Sequence, residues 1–193
     1  MDKILLTDCD GVLLDWEAKF ETFARRLGYQ FKDNYANTYS IGEQLGIGHE
    51  ESHDLIAKFN HSSDFESIPP WRDSVEGIAK FKADGWKIII ITTAGLHPWT
   101  YGLRRSNLDN VFGVGAIDEL YVLDMHGDKG EVLVNYNGSG LYWIEDKPSN
   151  AELAYKYGLK PLLMDNLHNS SYKGNVPRVN SWKEIYSIVT NDI

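Results

Sequence analysis

Ile4-Leu5-Leu6-Thr7-Asp8-Cys9-Asp10-Gly11-Val12 opens the chain with an apolar run that ends in two carboxylates and a glycine. Continuous rather than alternating hydrophobicity suits a strand covered on both faces, as in a parallel α/β sheet. The two carboxylates then fall where the chain leaves the sheet, and both can face one crevice at its carboxyl edge. Gly11 permits the tight turn that such an exit requires, and the N–H groups of the turn can cradle an anion. Asp and Gly are common turn formers in any loop. Two Asp, a Gly and a Val in this pattern nonetheless have a chance frequency of roughly 10⁻⁵ per position at ordinary residue usage. Their place directly behind an N-terminal strand points to chemistry.

Further short apolar runs follow at residues 86–91, 120–123, 141–144 and 161–164, each separated by helical spacing. Val75, Ile78 and Phe81 share one helical face before Gly85; Ala151 and Ala154 precede Gly158; Ser181 and Glu184 have capping-box spacing. The expectation is an α/β fold, a Rossmann-like doubly wound parallel sheet. Residues 16–70 break the alternation. Trp16, Phe20, Phe23 and Leu27 mark one helix and Leu55, Ile56 and Phe59 another, with no strand pattern between them. The predicted organisation is a core of residues 1–15 and 71–193 with a small helical cap of residues 16–70 inserted after the first strand, over the edge where open α/β sheets bind ligands.

At 193 residues, 42% hydrophobic and 24% charged, the chain has the composition of an ordinary globular domain able to bury a sizeable core. Its formal charge of −9 is spread without an acidic tail, and no Lys/Arg run could track a phosphate backbone, so long nucleic acid is a poor partner. A small anion bound beside a divalent cation is compatible with that charge. No apolar run approaches a membrane span, and Cys9, the only cysteine, allows no intrachain disulfide; a cytoplasmic protein without a membrane partner is expected. A homodimer is compatible with the sequence.

Two more strand ends carry polar groups: Thr92-Thr93 after residues 86–91, and Glu145-Asp146-Lys147-Pro148-Ser149-Asn150 after residues 141–144. Taken singly, a Thr pair is more often a strand end and an acidic pair a solvated surface. In a parallel sheet these ends cluster, which brings hydroxyl donors for a phosphate together with carboxylates, the hard oxygen ligands that Mg²⁺ requires.

With these residues in place the chain resembles the haloacid dehalogenase (HAD) superfamily of phosphotransferases, over nearly its whole length. Within it the chain is most similar to the 5′(3′)-deoxyribonucleotidases, through residues 8–17 (DCDGVLLDWE), 42–46 (GEQLG), 65–70 (FESIPP) and 180–182 (NSW). The resemblance implies a Mg²⁺-dependent hydrolase of phosphomonoesters acting through an aspartyl-phosphate: Asp8 as nucleophile, Asp10 as acid and base, and Mg²⁺ held by Asp8, Asp10 through its carbonyl, and Asp146. Glu145 stands where many members carry Asp or Gly and is expected to orient the metal or its water. Thr92 and Thr93 would bind the phosphate together with a lysine, Lys129 being favoured over Lys147. Trp16, Tyr39 and Ile41 match positions that line the nucleobase pocket, which makes a nucleoside or deoxynucleoside monophosphate the expected substrate and nucleotide metabolism the expected setting. Each could instead be core. Trp99 and Tyr101 are weaker candidates.

His49 and His53 are four residues apart but without an acidic partner, and surface placement is expected. Cys9 lacks the downstream arginine of a cysteine-dependent phosphatase loop and is expected to pack beneath the turn. The competing readings are a phosphatase of another metabolite such as a sugar phosphate, a dehalogenase, a response-regulator receiver, and a non-catalytic phosphate-binding protein of the same fold. Asp10 and Asp146 speak against the dehalogenase, and an acceptor at residue 8 against the receiver.

Overall fold

A computed structural model describes residues 3–192. The chain begins with strand β1 (Ile4–Thr7) and then makes the helices α1 (Trp16–Arg26), α2 (Ile41–Leu45) and α3 (His49–Asn60) before returning to the sheet. From there α4 (Ser74–Ala83), β2 (Lys87–Thr93), α5 (Pro98–Phe112) and β3 (Glu119–Leu123) follow. The second half adds α6 (Gly130–Leu133), β4 (Tyr142–Glu145), α7 (Pro148–Lys156), β5 (Lys160–Met164), β6 (Arg178–Val179) and α8 (Trp182–Asn191).

The six strands form one sheet in the order β3-β2-β1-β4-β5-β6, and every pairing is parallel. The chain steps outward from β1 to β3 and resumes on the other side of β1 at β4. The strand order therefore reverses between β1 and β4, and ligands bind such sheets outside that reversal. The unbroken apolar strands are explained by burial on both faces. Leu5, Ile88, Ile90 and Ile144 belong to the cluster that includes Ile78 and Phe81 of α4 and Trp182 and Ile185 of α8. Their sequence neighbours Leu6, Ile89, Ile91 and Trp143 belong to the opposite cluster, with Val132, Leu133, Ala154 and Leu159. Alternate side chains thus point to opposite faces, and both faces are dry.

Strand existence agrees with the sequence pattern, while the edges move by a residue or two. β2 runs on to Thr93, and β4 ends at Glu145, which is therefore a strand residue rather than the start of the loop. The two-residue β6 carries too few positions for a periodic signal. Ser181 Oγ accepts from Glu184 N at 3.2 Å and opens α8, as its spacing predicts.

Between β1 and β2 the chain leaves and re-enters the core along two adjacent segments. Asp15 N donates to Pro69 O at 2.9 Å and Trp71 N to Leu13 O at 2.8 Å, with Leu14 bridged to Pro70. The helices between these anchors share an aromatic centre: Trp16 stacks on Phe20 at 4.6 Å between centroids, and Phe59 meets Trp16, Phe20 and Phe65 edge-on. Asp15 starts α1 by accepting from Ala18 N at 3.2 Å. Among the described residues no helix is long and apolar enough to cross a membrane.

Candidate active site

Asp8 follows β1 directly and is pinned at the strand reversal, its N–H donating to Ile144 O of β4 at 2.8 Å. The residue is buried, 7% exposed. One carboxylate oxygen, Oδ1, accepts from Cys9 N at 2.7 Å, and the other, Oδ2, lies 2.6 Å from Lys129 Nζ. The chain then turns at Gly11, whose φ of 72° is the left-handed conformation that favours glycine. A Cβ here would collide with the Asp146 carboxylate, so glycine also makes room for the acid.

Lys129, at the start of α6, is buried and lies between two acids, donating to Glu145 Oε2 at 3.1 Å as well as pairing with Asp8. Burial disfavours its charge, but Asp8 and Glu145 outweigh that and raise its pKa above the ordinary lysine value. Glu145 Oε1 in turn accepts from Asn150 Nδ2 at 2.9 Å. Burial and the nearby Asp8 charge push the Glu145 pKa well up, against the pull of Lys129. Asp146 is raised by burial too, and His168, 3.2 Å away through Nε2, works in the other direction. His168 Nδ1 approaches Glu17 Oε1 of α1 at 3.3 Å but is out of line for a hydrogen bond. Burial lowers the imidazole's affinity for a proton, but the two acids prevail and hold its pKa at about 10.

Asp8, Glu145 and Asp146 each offer an oxygen within 4.8 Å of the other two. Three buried carboxylates gathered this closely are a donor set whose hard oxygens suit Mg²⁺. Asp10 stands apart from this trio: its Oδ2 accepts from Arg104 Nη2 of α5 at 2.6 Å. A quarter of its side chain faces the open pocket. The dense protein behind it still desolvates the group and raises its pKa to about 6, Arg104 opposing the shift and Asp8 adding to it.

Asp8, Asp10 and Asp146 form one wall of a cavity of about 490 Å³ between the sheet edge and the helices that follow β1. Thr92, Thr93, Trp16, Tyr39 and Ile41 all line it, as does Lys147, whose Nζ sits 4.9 Å from the Tyr39 ring centroid. The structure thus gathers the residues singled out from the sequence around one cavity, with Lys129 reaching it through Asp8. It gives the two lysines different places, Lys129 against Asp8 and Lys147 on the cavity wall. Trp99 and Tyr101 are 70% and 51% exposed and do not line the cavity.

His49 is exposed and the His53 side chain is 39% exposed, in keeping with the surface placement expected of them. Both line the cavity mouth, with the His53 ring stacked on His126 at 5.1 Å and the His49 ring at 6.2 Å from it. An exposed i, i+4 pair on α3 meets the loop before Lys129, a tertiary contact that helical spacing cannot show. Arg104, His168 and Glu17 were also invisible to pattern reading. Arg104 lies in the polar run Arg104-Arg105-Ser106-Asn107, which reads as a solvated helix face, yet its side chain is fully buried. Cys9 packs beneath the turn as expected, fully buried, with burial raising its thiol pKa.

The strand order, the reversal at β1 and the helical insertion behind β1 define a HAD-like fold. No family model matches the chain. An uncharacterised 32.4 kDa protein of enterobacteria phage T4, from the Gp30-rIII intergenic region, is 25% identical over 143 residues, covering 68% of this chain. The chain spans about half the length of that relative, 49%. Solved structures agree over nearly the whole chain. A predicted phosphatase from Clostridium acetobutylicum superposes with a TM-score of 0.70 at 15% identity, over 99% of each chain. A haloacid dehalogenase-like family hydrolase from Streptococcus pneumoniae gives 0.69 at 12% identity, over 97% of this chain and 98% of the other. A HAD-hydrolase from Bacillus subtilis described as bound to magnesium gives 0.62 at 14% identity, over 97% and 98%.

Proposed function

We propose that this chain is a Mg²⁺-dependent phosphomonoesterase that acts on nucleoside monophosphates, with residues 16–70 serving as the cap over the reaction site. The observation that carries the reading is the state of Asp8. A buried carboxylate at the strand reversal is fixed through one oxygen by a backbone N–H and through the other by a buried lysine, on the wall of a cavity large enough for a nucleotide.

Asp8 would attack phosphorus with a carboxylate oxygen, forming an O–P bond as the bond to the ester oxygen breaks. Asp10 would give its proton to that departing oxygen, and then take one from the water that attacks the aspartyl-phosphate and returns Asp8 as carboxylate. Lys129 and the Thr92 hydroxyl would hold the phosphoryl oxygens and offset their charge. When bound by Asp8, Asp146 and the Asp10 carbonyl, with Glu145 beside it, Mg²⁺ supplies the positive charge that lets a carboxylate and a phosphate approach. Trp16, Tyr39 and Ile41 offer aromatic and apolar surface, and a base stacked on an aromatic ring gains about 1–3 kcal/mol. The solved structures with similar folds include a predicted phosphatase and a HAD-hydrolase described as bound to magnesium, which supports the reaction class.

The test is phosphate release from ribo- and deoxyribonucleoside 5′- and 3′-monophosphates and from sugar phosphates, with Mg²⁺ and with chelator, alongside Asp8→Asn. Mg²⁺-dependent release concentrated on nucleotides and lost in the variant is the expected result. Release from sugar phosphates alone would overturn the substrate assignment, and an active Asp8→Asn would overturn the nucleophile.

A further inference from the structure

The buried pair Arg104–Asp10 lies outside the acidic trio. We infer that Arg104 is a positioning residue, clamping one oxygen of Asp10 and so fixing the carboxyl group that gives its proton to the leaving group; this rests on the phosphomonoesterase reading above. Arg104 is 0% exposed, and among the described residues Asp10 is its sole hydrogen-bond partner, at 2.6 Å. The guanidinium is held from another side by Phe65, whose ring centroid lies 4.0 Å from Cζ. Phe65 belongs to the segment that leads back into the core at residues 69–71, so the clamp is built where the inserted helices rejoin the sheet domain.

Two features distinguish this from an arginine that only neutralises a buried acid. A guanidinium has five donors in a rigid fork, and a structural arginine buried at considerable desolvation cost normally fills them. Here Nε and Nη1 have no partner. The burial is therefore spent on a single contact. Asp10 matches it: Oδ2 is engaged, while Oδ1 is buried and without a partner in a residue that lines the reaction cavity. An aspartate with one oxygen tied back and one free has a fixed carboxyl plane, which proton transfer to one particular oxygen requires.

A helper of the proton donor matters in proportion to the leaving group's need for a proton. A nucleoside leaves as an alkoxide and needs one, whereas p-nitrophenolate does not. The comparison is kcat/KM, which reports steps only up to alcohol release and excludes hydrolysis of the aspartyl-phosphate. For Arg104→Met we expect a loss of about 100-fold or more with a nucleoside 5′-monophosphate and less than about tenfold with p-nitrophenyl phosphate. Arg104→Lys should restore part of the difference. In an Asp10→Asn background, Arg104→Met should add no further loss on the nucleotide, because the residue acts through Asp10. Should Arg104→Met not fold, Arg104→Lys and Arg104→Gln carry the same comparison. Equal losses on both substrates, or losses that add to that of Asp10→Asn, would overturn the inference while leaving the phosphatase reading intact. A wild-type protein inactive on both esters would remove that reading, and this inference with it.

Discussion

Trp16 donates its indole N–H to Asn60 Oδ1 at 3.2 Å, and the same amide donates through Nδ2 to Ala94 O at 3.1 Å. Asn60 ends α3, and Ala94 follows Thr93 at the end of β2, so one buried side chain ties the helices between β1 and α4 to the strand end that carries Thr92 and Thr93. Asn60→Leu removes both bonds and leaves a buried carbonyl and an indole N–H without partners, at about 1–3 kcal/mol. The expected outcome is a lower thermal midpoint and a KM for nucleotide raised more than kcat is lowered, because Trp16 loses its anchor while Asp8 keeps its own. A kcat loss with unchanged KM would contradict this.

Lys129 sits among carboxylates that would otherwise face one another in a dry site. Removing one member of such a buried set costs about 3–5 kcal/mol. In Lys129→Met, turnover should fall by about 100-fold or more through loss of charge stabilisation. The variant should also depend more on Mg²⁺ for its fold, since a cation that binds only the native state stabilises it by mass action. The check is thermal unfolding with Mg²⁺ and with chelator. The Mg²⁺-induced rise in midpoint should be larger in Lys129→Met than in the wild type, and a smaller rise would show that Lys129 helps to hold the cation rather than standing in for its charge.

Gly11 is held in place by backbone conformation and by the space the Asp146 carboxylate takes. Gly11→Ala adds about 1–2 kcal/mol of left-handed strain and forces Asp146 away from the trio. Circular dichroism should remain native while activity collapses and Mg²⁺ affinity, followed by calorimetry, weakens. Retained affinity would mean that Asp146 can yield without leaving the site.

How much of this was legible in the sequence depends on whether the signal was local. The strands around Leu5, Ile89 and Trp143 announced themselves because both faces of the sheet are buried, and Asp8, Thr92 and Asp146 because strand ends of a parallel sheet converge. Glu145 was read beyond the strand because the apolar run stops at Ile144, yet it is the strand's last residue and bonds Lys129. Arg104 and His168 gave no signal at all. Each lies in a polar stretch, and each is drawn inward by an acid distant in sequence, Asp10 or Asp146. Charge pairing across long separations has no period, so composition and spacing do not reveal it.

His61, at the end of α3, packs its ring against His97, which precedes α5, with 4.4 Å between centroids. The partial burial of His61 lowers its pKa from the ordinary 6.5, and the neighbouring His97 lowers it further. The neutral form is therefore favoured in the folded state. As pH falls, the unfolded chain takes up the proton first, so the contact contributes stability above about pH 6.5 and loses it as pH falls through the lowered folded value. His61 is exposed, so solvent screens the effect and the useful readout is the titration itself. In an NMR titration His61 should show a midpoint below 6.5, and in His97→Ala that midpoint should move upward. A midpoint that stays or drops in the variant would show that burial alone sets it, and that the two rings do not sense each other's charge across the junction between α3 and α5.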